Sequence, residues 1–259
     1  MQTLEPLDAE AIARHSRVFE LEIHAQLDST QDRARQRLLQ GQAGPAAVIA
    51  DAQRAGRGQQ GRRWLSPPGA AIYVTAIWPT ARTPAQLAGL SLAVGLAIRR
   101  TLAHWQIDAR LKWPNDVWVD QRKLAGVLID VIARAPGAHL LIGIGLNLQL
   151  PESTTQDLDQ PWTELSHWLS PLPSRNLLIG RLLHELQGVL CSFEAAGFGA
   201  FTDEWQGADA LSGQQIWWRG SAGIERGHAL GVDELGRLRV DINGKLRLLS
   251  AGEVSVRPF

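Results

Sequence analysis

The 259-residue chain has one cysteine, one methionine, one tyrosine and three lysines. A single cysteine, Cys191, cannot close an internal disulfide, and it has no paired His or Cys spacing around it. Disulfide scaffolds and zinc clusters are therefore excluded, and a reducing, cytoplasmic setting is expected. Long apolar runs are missing too. The nearest, Gln86 to Ile98, falls short of the roughly 18 residues a membrane helix requires, and the acid-bearing N-terminus has no signal-peptide core. No membrane partner is expected. Acid is absent from Ala52 to Ile107, a window that holds seven arginines, although the whole chain is formally neutral with 26 basic and 26 acidic groups. So polarised a segment points to an anionic partner. Arg and Lys exchange freely at solvated positions but not where a compact, rotatable ammonium is needed. Against a background of 23 arginines, Lys112, Lys123 and Lys245 become candidates for function.

A hydrophobic fraction of 45% with 20% charged residues is that of a globular protein, and the length allows one large domain or two unequal ones. Val18 to Leu27 alternates as a half-buried strand and ends in Asp28-Ser29-Thr30, which can cap a helix through Gln40. Ala46 to Ala50 and Ile72 to Trp78 read as strands, with a Gly- and Pro-rich loop between them. One long helix is predicted from Pro84 to Ala103. Lys123 to Val131 and Leu140 to Leu148 read as core strands, and Ser174 to Ala195 as a helix. From Ser212 onward short strands alternate with turns, Asn243-Gly244 being a strong hairpin signal. Because strands and helices mix without regular βαβα alternation, the expected class is α+β: a mixed, largely antiparallel sheet flanked by helices, followed by a small β-barrel.

Gly56-Arg57-Gly58-Gln59-Gln60-Gly61 fits G-x-G-x-x-G literally, but its context is wrong for a dinucleotide fold. The loop runs into Trp64-Leu65-Ser66-Pro67-Pro68-Gly69 rather than a helix, and the next acid is Asp108. No H-R-D or D-F-G triplet follows, and no Gly-Lys-Ser/Thr occurs anywhere. What remains is a basic glycine loop able to wrap closely around a ligand, with Arg57, Arg62 and Arg63 as forked donors to carboxylate or phosphate oxygens; a merely solvated basic loop is the competing reading. A second constellation is Lys112-Trp113-Pro114-Asn115-Asp116, with Lys123 eleven residues after Lys112. Two ammoniums beside a carboxylate and an amide suit phosphoryl or nucleotidyl chemistry, with Asn115 and Asp116 as candidate Mg²⁺ ligands; ordinary turn chemistry is the competing reading of Pro-Asn-Asp. Two glycines in Gly143-Ile144-Gly145-Leu146-Asn147 suggest close approach of a ligand or of another backbone. These residues indicate a binder of an anionic, nucleotide-like ligand with Mg²⁺.

Taken together, DST at 28–30, GRGQQGRRWLSPPG at 56–69, KWPNDVWVDQRKLAGVLID at 112–130 and GIGLN at 143–147 resemble the biotin protein ligase family, the biotin–[acetyl-CoA carboxylase] ligases. The resemblance implies a class II synthetase-like ligase core over residues 1–207 and an SH3-like β-barrel over 208–259. It also implies activation of biotin by ATP to biotinyl-5'-AMP with Mg²⁺, then transfer to a lysine of the biotin carboxyl carrier protein of acetyl-CoA carboxylase. Matched residue by residue, Ser29, Thr30, Gln53, Arg57, Gly58 and Lys123 fall at biotin-binding positions. Arg57, Trp64, Lys112, Asn115, Asp116 and Asn147 fall on the ATP side, Asn115 and Asp116 toward Mg²⁺. Arg57, Lys112 and Lys123 are the catalytic candidates, and Glu253 and Arg257 match C-terminal positions that can face the nucleotide. Three positions depart from the family pattern: Gln31 where Asn is common, Gln59 where Arg is common, and Asp130 in place of Glu. Only 27 residues precede Asp28, too few for the winged-helix domain of some members, so DNA is not an expected partner; a homodimer is compatible with the pattern.

Two other readings stay open: a lipoate or octanoate ligase or transferase of related fold, and a noncatalytic biotin-binding regulator. Cys191 lies in an apolar helical pattern and reads as a buried structural thiol rather than a nucleophile. Of ten tryptophans, Trp64 and Trp113 are the candidates for the site, and the seven histidines show no metal spacing.

Overall fold

The computed structural model describes residues 5–134, 137–152, 161–220, 223–251 and 256–258. The larger sheet has seven strands: β1 (Glu20–Leu27), β2 (Ala46–Gln53), β3 (Ala71–Thr80), β4 (Arg110–Lys112), β5 (Asp116–Val119), β6 (Arg122–Arg134) and β7 (Gly137–Asn147). Their spatial order is β1-β2-β3-β7-β6-β5-β4. β1 and β2 run parallel and every other pair is antiparallel, so the sheet is mixed and largely antiparallel, as expected. Among the described residues five α-helices accompany it: α1 (Ala9–Ala13), α2 (Thr30–Leu39), α3 (Leu90–Ala103), α4 (Arg175–Ala196) and α5 (Thr202–Ala208).

Alternation along the strands decides what each face of the sheet meets. Ala47, Ile49, Ile72, Val74, Ile142, Ile144 and Leu146 point to one face and join α3 and α4 in the main core. Ala46, Val48, Ile77 and Leu141 point to the other and pack on Ala34 and Leu38 of α2. That second face is covered only at its β2-β3-β7 end, since α2 is ten residues long and contacts those three strands. Beyond the N-terminus of α2, the face over β7, β6 and β5 is left for a ligand. Ser29 caps this helix end, its side chain accepting from Asp32 N at 3.4 Å.

The predicted long helix is two pieces. A 3-10 turn spans Pro84–Leu87, and α3 begins only after Gly89, which takes φ 79°. A side chain at Gly89 would collide with Phe198, its ideal Cβ lying 2.5 Å from the ring, so a contact 109 residues away in the chain breaks the helix. Cys191 also departs from expectation: it is exposed on α4, because the buried stripe of that helix runs through Leu183, Leu186, Val189, Leu190 and Phe193.

The second sheet is antiparallel with order β11-β10-β9-β8-β12, from β8 (Gln215–Gly220), β9 (Gly223–Val232), β10 (Leu238–Ile242), β11 (Lys245–Leu249) and β12 (Val256–Pro258). Asn243 (φ 53°) and Gly244 (φ 82°) form the expected tight turn. Ile216, Trp218, Val232, Leu238 and Val240 of this sheet lie in the same hydrophobic cluster as α3 and α4. Trp113 proves to be structural. It is fully buried, and its Nε1 donates to Gly236 O at 3.0 Å, tying the turn after β4 to the second sheet.

Candidate active site

The second face of the larger sheet carries Lys112, Asp116, Trp118, Lys123, Gly126, Gly143, Gly145 and Asn147. Lys123 reaches it through a β-bulge. Asp116 pairs with Gly126 and Val117 with Ala125, but Trp118 then pairs with Lys123 and Leu124 is passed over. Strict alternation back from Gly126 would put Leu124 on the ligand face and Lys123 in the core. The extra residue reverses both: Leu124 is fully buried in the core cluster, and Lys123 swings to the ligand side, a re-aiming that bulges commonly perform beside active sites. The backbone of Lys123 is clamped as well, its N–H donating to Pro161 O at 3.0 Å and its carbonyl accepting from Thr163 N at 2.8 Å.

Both ammoniums converge on one carboxylate. Lys123 Nζ lies 2.7 Å from Asp116 Oδ1, and Lys112 Nζ lies 3.6 Å from Asp116 Oδ2. Lys112 and Asp116 are each only 7% exposed. Burial is the largest influence on Lys112 and lowers its pKa below the usual lysine range; Asp116 opposes this, while Lys123 and Arg257 add to it. Each ammonium also rests on an indole, Lys112 at 5.5 Å from the ring centre of Trp118 and Lys123 at 5.2 Å from that of Trp64.

Three glycines make the floor. An ideal Cβ on Gly145 would lie 2.4 Å from Trp64 Cε2, one on Gly126 3.1 Å from Trp64 Cζ3, and one on Gly143 2.7 Å from Gln31 Oε1. The indole of Trp64 therefore lies against bare backbone. It divides the space in two, bordering both a large cavity of about 670 Å³ and a small one of about 60 Å³.

The small cavity collects Ser29, Thr30, Gln53, Arg57, Gly58 and Lys123. Its polar wall is a chain of hydrogen bonds. Gln53 Oε1 accepts from Thr30 N (2.8 Å) and Thr30 Oγ1 (3.1 Å), while Gln53 Nε2 reaches Ser66 Oγ (2.9 Å). Thr75 Oγ1 lies 2.9 Å from Thr30 Oγ1 and 3.2 Å from Gln31 Oε1, and Gln31 Nε2 donates to Leu141 O at 3.1 Å. The larger cavity collects Trp64, Lys112, Asn115, Asp116, Lys123 and Asn147, together with Arg257. Arg57 borders the small cavity but not the large one, and its guanidinium pairs with Asp32 at 2.6 Å. Glu253 lies outside the described residues.

The two asparagines have fixed orientations. Asn115 donates from Nδ2 to Val127 O (2.7 Å), and Asn147 from Nδ2 to Thr163 O (3.0 Å). A carbonyl can only accept, so each amide nitrogen is committed and each Oδ1 is left as an acceptor. As a seat for Mg²⁺ the pair fits poorly. Asp116 is already neutralised by two ammoniums, so of the pair only Asn115 Oδ1 is left open to a cation.

Trp118, Trp162, Trp217 and Gln121 also border the large cavity and were not singled out by sequence. Trp118 alone had a usable signal: it stands two residues after Asp116 on β5, hence on the same face.

Residues 23–147 match the Biotin/lipoate A/B protein ligase family, a span that runs from β1 to the last residue of β7. The biotin–[acetyl-CoA-carboxylase] ligase of Mycobacterium tuberculosis is 33% identical over 214 residues, covering 80% of this chain and 77% of that protein. The chain belongs to this ligase family. The bifunctional ligase/repressor BirA of Escherichia coli is 33% identical over 217 residues, and the chain spans 66% of its length. Among solved structures of the family, biotin protein ligase from Aquifex aeolicus in complex with biotin and ATP superposes with a TM-score of 0.77 at 26% identity, over 93% of this chain and 99% of that one. Among the described residues no helix is long and apolar enough to cross a membrane.

Proposed function

We propose that the protein is an ATP-dependent biotin protein ligase that forms biotinyl-5'-AMP and passes the biotinyl group to a lysine of a biotin carboxyl carrier domain. The observation that carries this reading is the pair of ammoniums on one buried carboxylate in the large cavity, with Lys123 bordering the small cavity as well. A carboxylate cannot approach a polyphosphate without cations between them. Preorganised cations in a dry site are commonly the largest catalytic contribution.

In this reading the small cavity takes the biotin ring system, with Ser29, Thr30 and Gln53 as its polar contacts and Arg57 and Gly58 closing over it. About 60 Å³ is too little for a bicyclic acid, so the indole of Trp64 moves as biotin enters. Lys123 then meets the carboxylate and Lys112 the phosphates. The free Oδ1 atoms of Asn115 and Asn147 suit the exocyclic amine of adenine, an N–H donor. Arg257 of the second sheet completes the cationic wall around the triphosphate, where Mg²⁺, when bound, would supply further charge neutralisation. A carboxylate oxygen bonds to the α-phosphorus as the bond to the leaving pyrophosphate breaks. The acceptor's lysine nitrogen then bonds to the acyl carbon, AMP leaves with the electron pair, and the amine proton passes to solvent. We assign this machinery, Arg257 apart, to residues 1–207 and the small β unit to 208–259.

Biotin-dependent exchange of labelled pyrophosphate into ATP tests the reading, run beside lipoate and octanoate. Exchange with biotin is expected, and Lys123→Ala should abolish it. Lys245→Ala, on the exposed strand β11, should leave it intact. Exchange with lipoate alone would make the protein a lipoate ligase, and exchange with none of the acids would reject a ligase altogether.

A further inference from the structure

The glycine loop has a second face. Residues 57–63 form a short hairpin: Arg57 and Arg63 bridge antiparallel, Gly58 N donates to Arg62 O at 2.7 Å, and Trp64 N donates to Gly56 O at 2.9 Å. The tip turns through Gln60 (φ 56°) and Gly61 (φ 73°). One side of this hairpin borders the two cavities. Along the other runs an open groove of about 590 Å³, bordered by Arg54, Arg57, Arg62 and Arg63, with Leu128 and Asp130 of β6 opposite.

Most of the charge in that groove is already paired. Arg54 meets Asp28 at 2.8 Å, Arg57 meets Asp32 at 2.6 Å, and Asp130 is held by Arg35 at 2.8 Å. Arg62 and Arg63 differ. Both are exposed, and their hydrogen bonds go to backbone oxygens, Arg62 Nε to Gln59 O (3.3 Å) and Arg63 Nη2 to Arg54 O (3.1 Å). Neither has a carboxylate partner among the described residues. Gly58, Arg62 and Arg63 border the groove and the large cavity alike, so whatever lies in the groove lies beside the cavity mouth.

We propose that this groove docks an acidic segment of the acceptor domain, adjacent in space to its target lysine. The assignment rests on the ligase reading. A lysine that enters the large cavity from another protein brings its flanking residues across the cavity rim, and on this side the rim is cationic. Carboxylates seated there would meet forked donors and would be steered in by the field of the arginines. A free inorganic anion would fill one fork and leave most of the groove empty. Nucleic acid is the poorer fit, because two unpaired guanidiniums offer about two phosphate contacts where duplex binding draws on roughly six to ten.

The test uses the full chain carrying Arg62→Gln and Arg63→Gln together and reads the two half-reactions separately. Biotin-dependent pyrophosphate exchange should stay within about twofold of wild type, with Tm unchanged. Transfer to a purified biotin carboxyl carrier domain of acetyl-CoA carboxylase should show KM raised about tenfold or more at unchanged kcat. Transfer to hydroxylamine, which is too small to reach the groove, should not change. Salt should raise the carrier KM of the wild type and have little effect on the variant. An unchanged carrier KM would overturn the assignment. So would a parallel fall in exchange, which would give the arginines to the nucleotide. Loss of binding to a fluorescein-labelled DNA duplex at unchanged carrier KM would give them to nucleic acid. Absence of exchange in the wild type would remove the ligase reading and the groove assignment with it.

Discussion

Lys112 is a cation with little water and a shared counter-ion. Asp116 sits closer to Lys123 than to Lys112, and both Lys123 and Arg257 push against the charge of Lys112. The face of Trp118 supplies what the carboxylate does not, since an indole beneath a desolvated ammonium is worth roughly 1–2 kcal/mol. Trp118→Leu should therefore lower kcat/KM for pyrophosphate exchange by about tenfold. Trp118→Phe keeps a weaker ring face and should recover most of the loss. Equal defects in the two variants would mean that Trp118 only fills space. Its Nε1 is buried without a hydrogen-bond partner, so the ring face is what Trp118 offers its neighbours.

At the scale of elements, the ligand face depends on what β6 and β7 lack. Gly145 lets the ring of Trp64 lie on the backbone, and a methyl there would stand 2.4 Å from that ring. Gly145→Ala should displace the indole and raise the Kd for biotin, read by calorimetry, about tenfold or more. Tm should change little, because alanine suits an extended strand at least as well as glycine. Unaltered biotin affinity would show that the indole does not border the binding slot. The two glycines, the lysine pair and the turn between β4 and β5 could be read from sequence, since each is a local departure from an apolar strand or from an arginine-rich background. The bulge could not. Alternation sends Lys123 into the core, and only the pairing of β5 with β6 shows that Leu124 goes there instead. The break before α3 was equally hidden, because it is set by Phe198 and by Gly236, where an added Cβ would lie 2.7 Å from the Cα of Gly89. Cys191 is hidden in the sequence for a related reason: Leu190 before it and Phe193 two residues after it conceal which face of α4 is buried.

For the whole molecule, the two sheets share one hydrophobic cluster, and the chain passes from one to the other through residues 209–214. Asp209 sits at the start of that passage, bridged to Leu111 of β4, with Ala210 N donating to Leu111 O at 2.9 Å. Its Oδ1 accepts from Leu211 N at 2.8 Å, whereas its Oδ2 is buried without a partner. Burial is the dominant influence and pushes the carboxyl up to about 6, with the Leu211 and Ser212 amides and Arg110 only partly offsetting it. A carboxyl whose pKa is higher in the folded chain than in the unfolded one binds its proton more tightly when folded. Below about pH 4 both states are protonated and there is no penalty. As pH rises from about 4 through 6 the folded chain must ionise a buried acid, and stability falls by roughly 1–3 kcal/mol. Asp209→Asn keeps an acceptor for Leu211 and removes the charge. It should raise the denaturation midpoint near pH 8, and the gain should vanish near pH 4. A gain of equal size at both pH values would assign the effect to packing at the junction rather than to the charge.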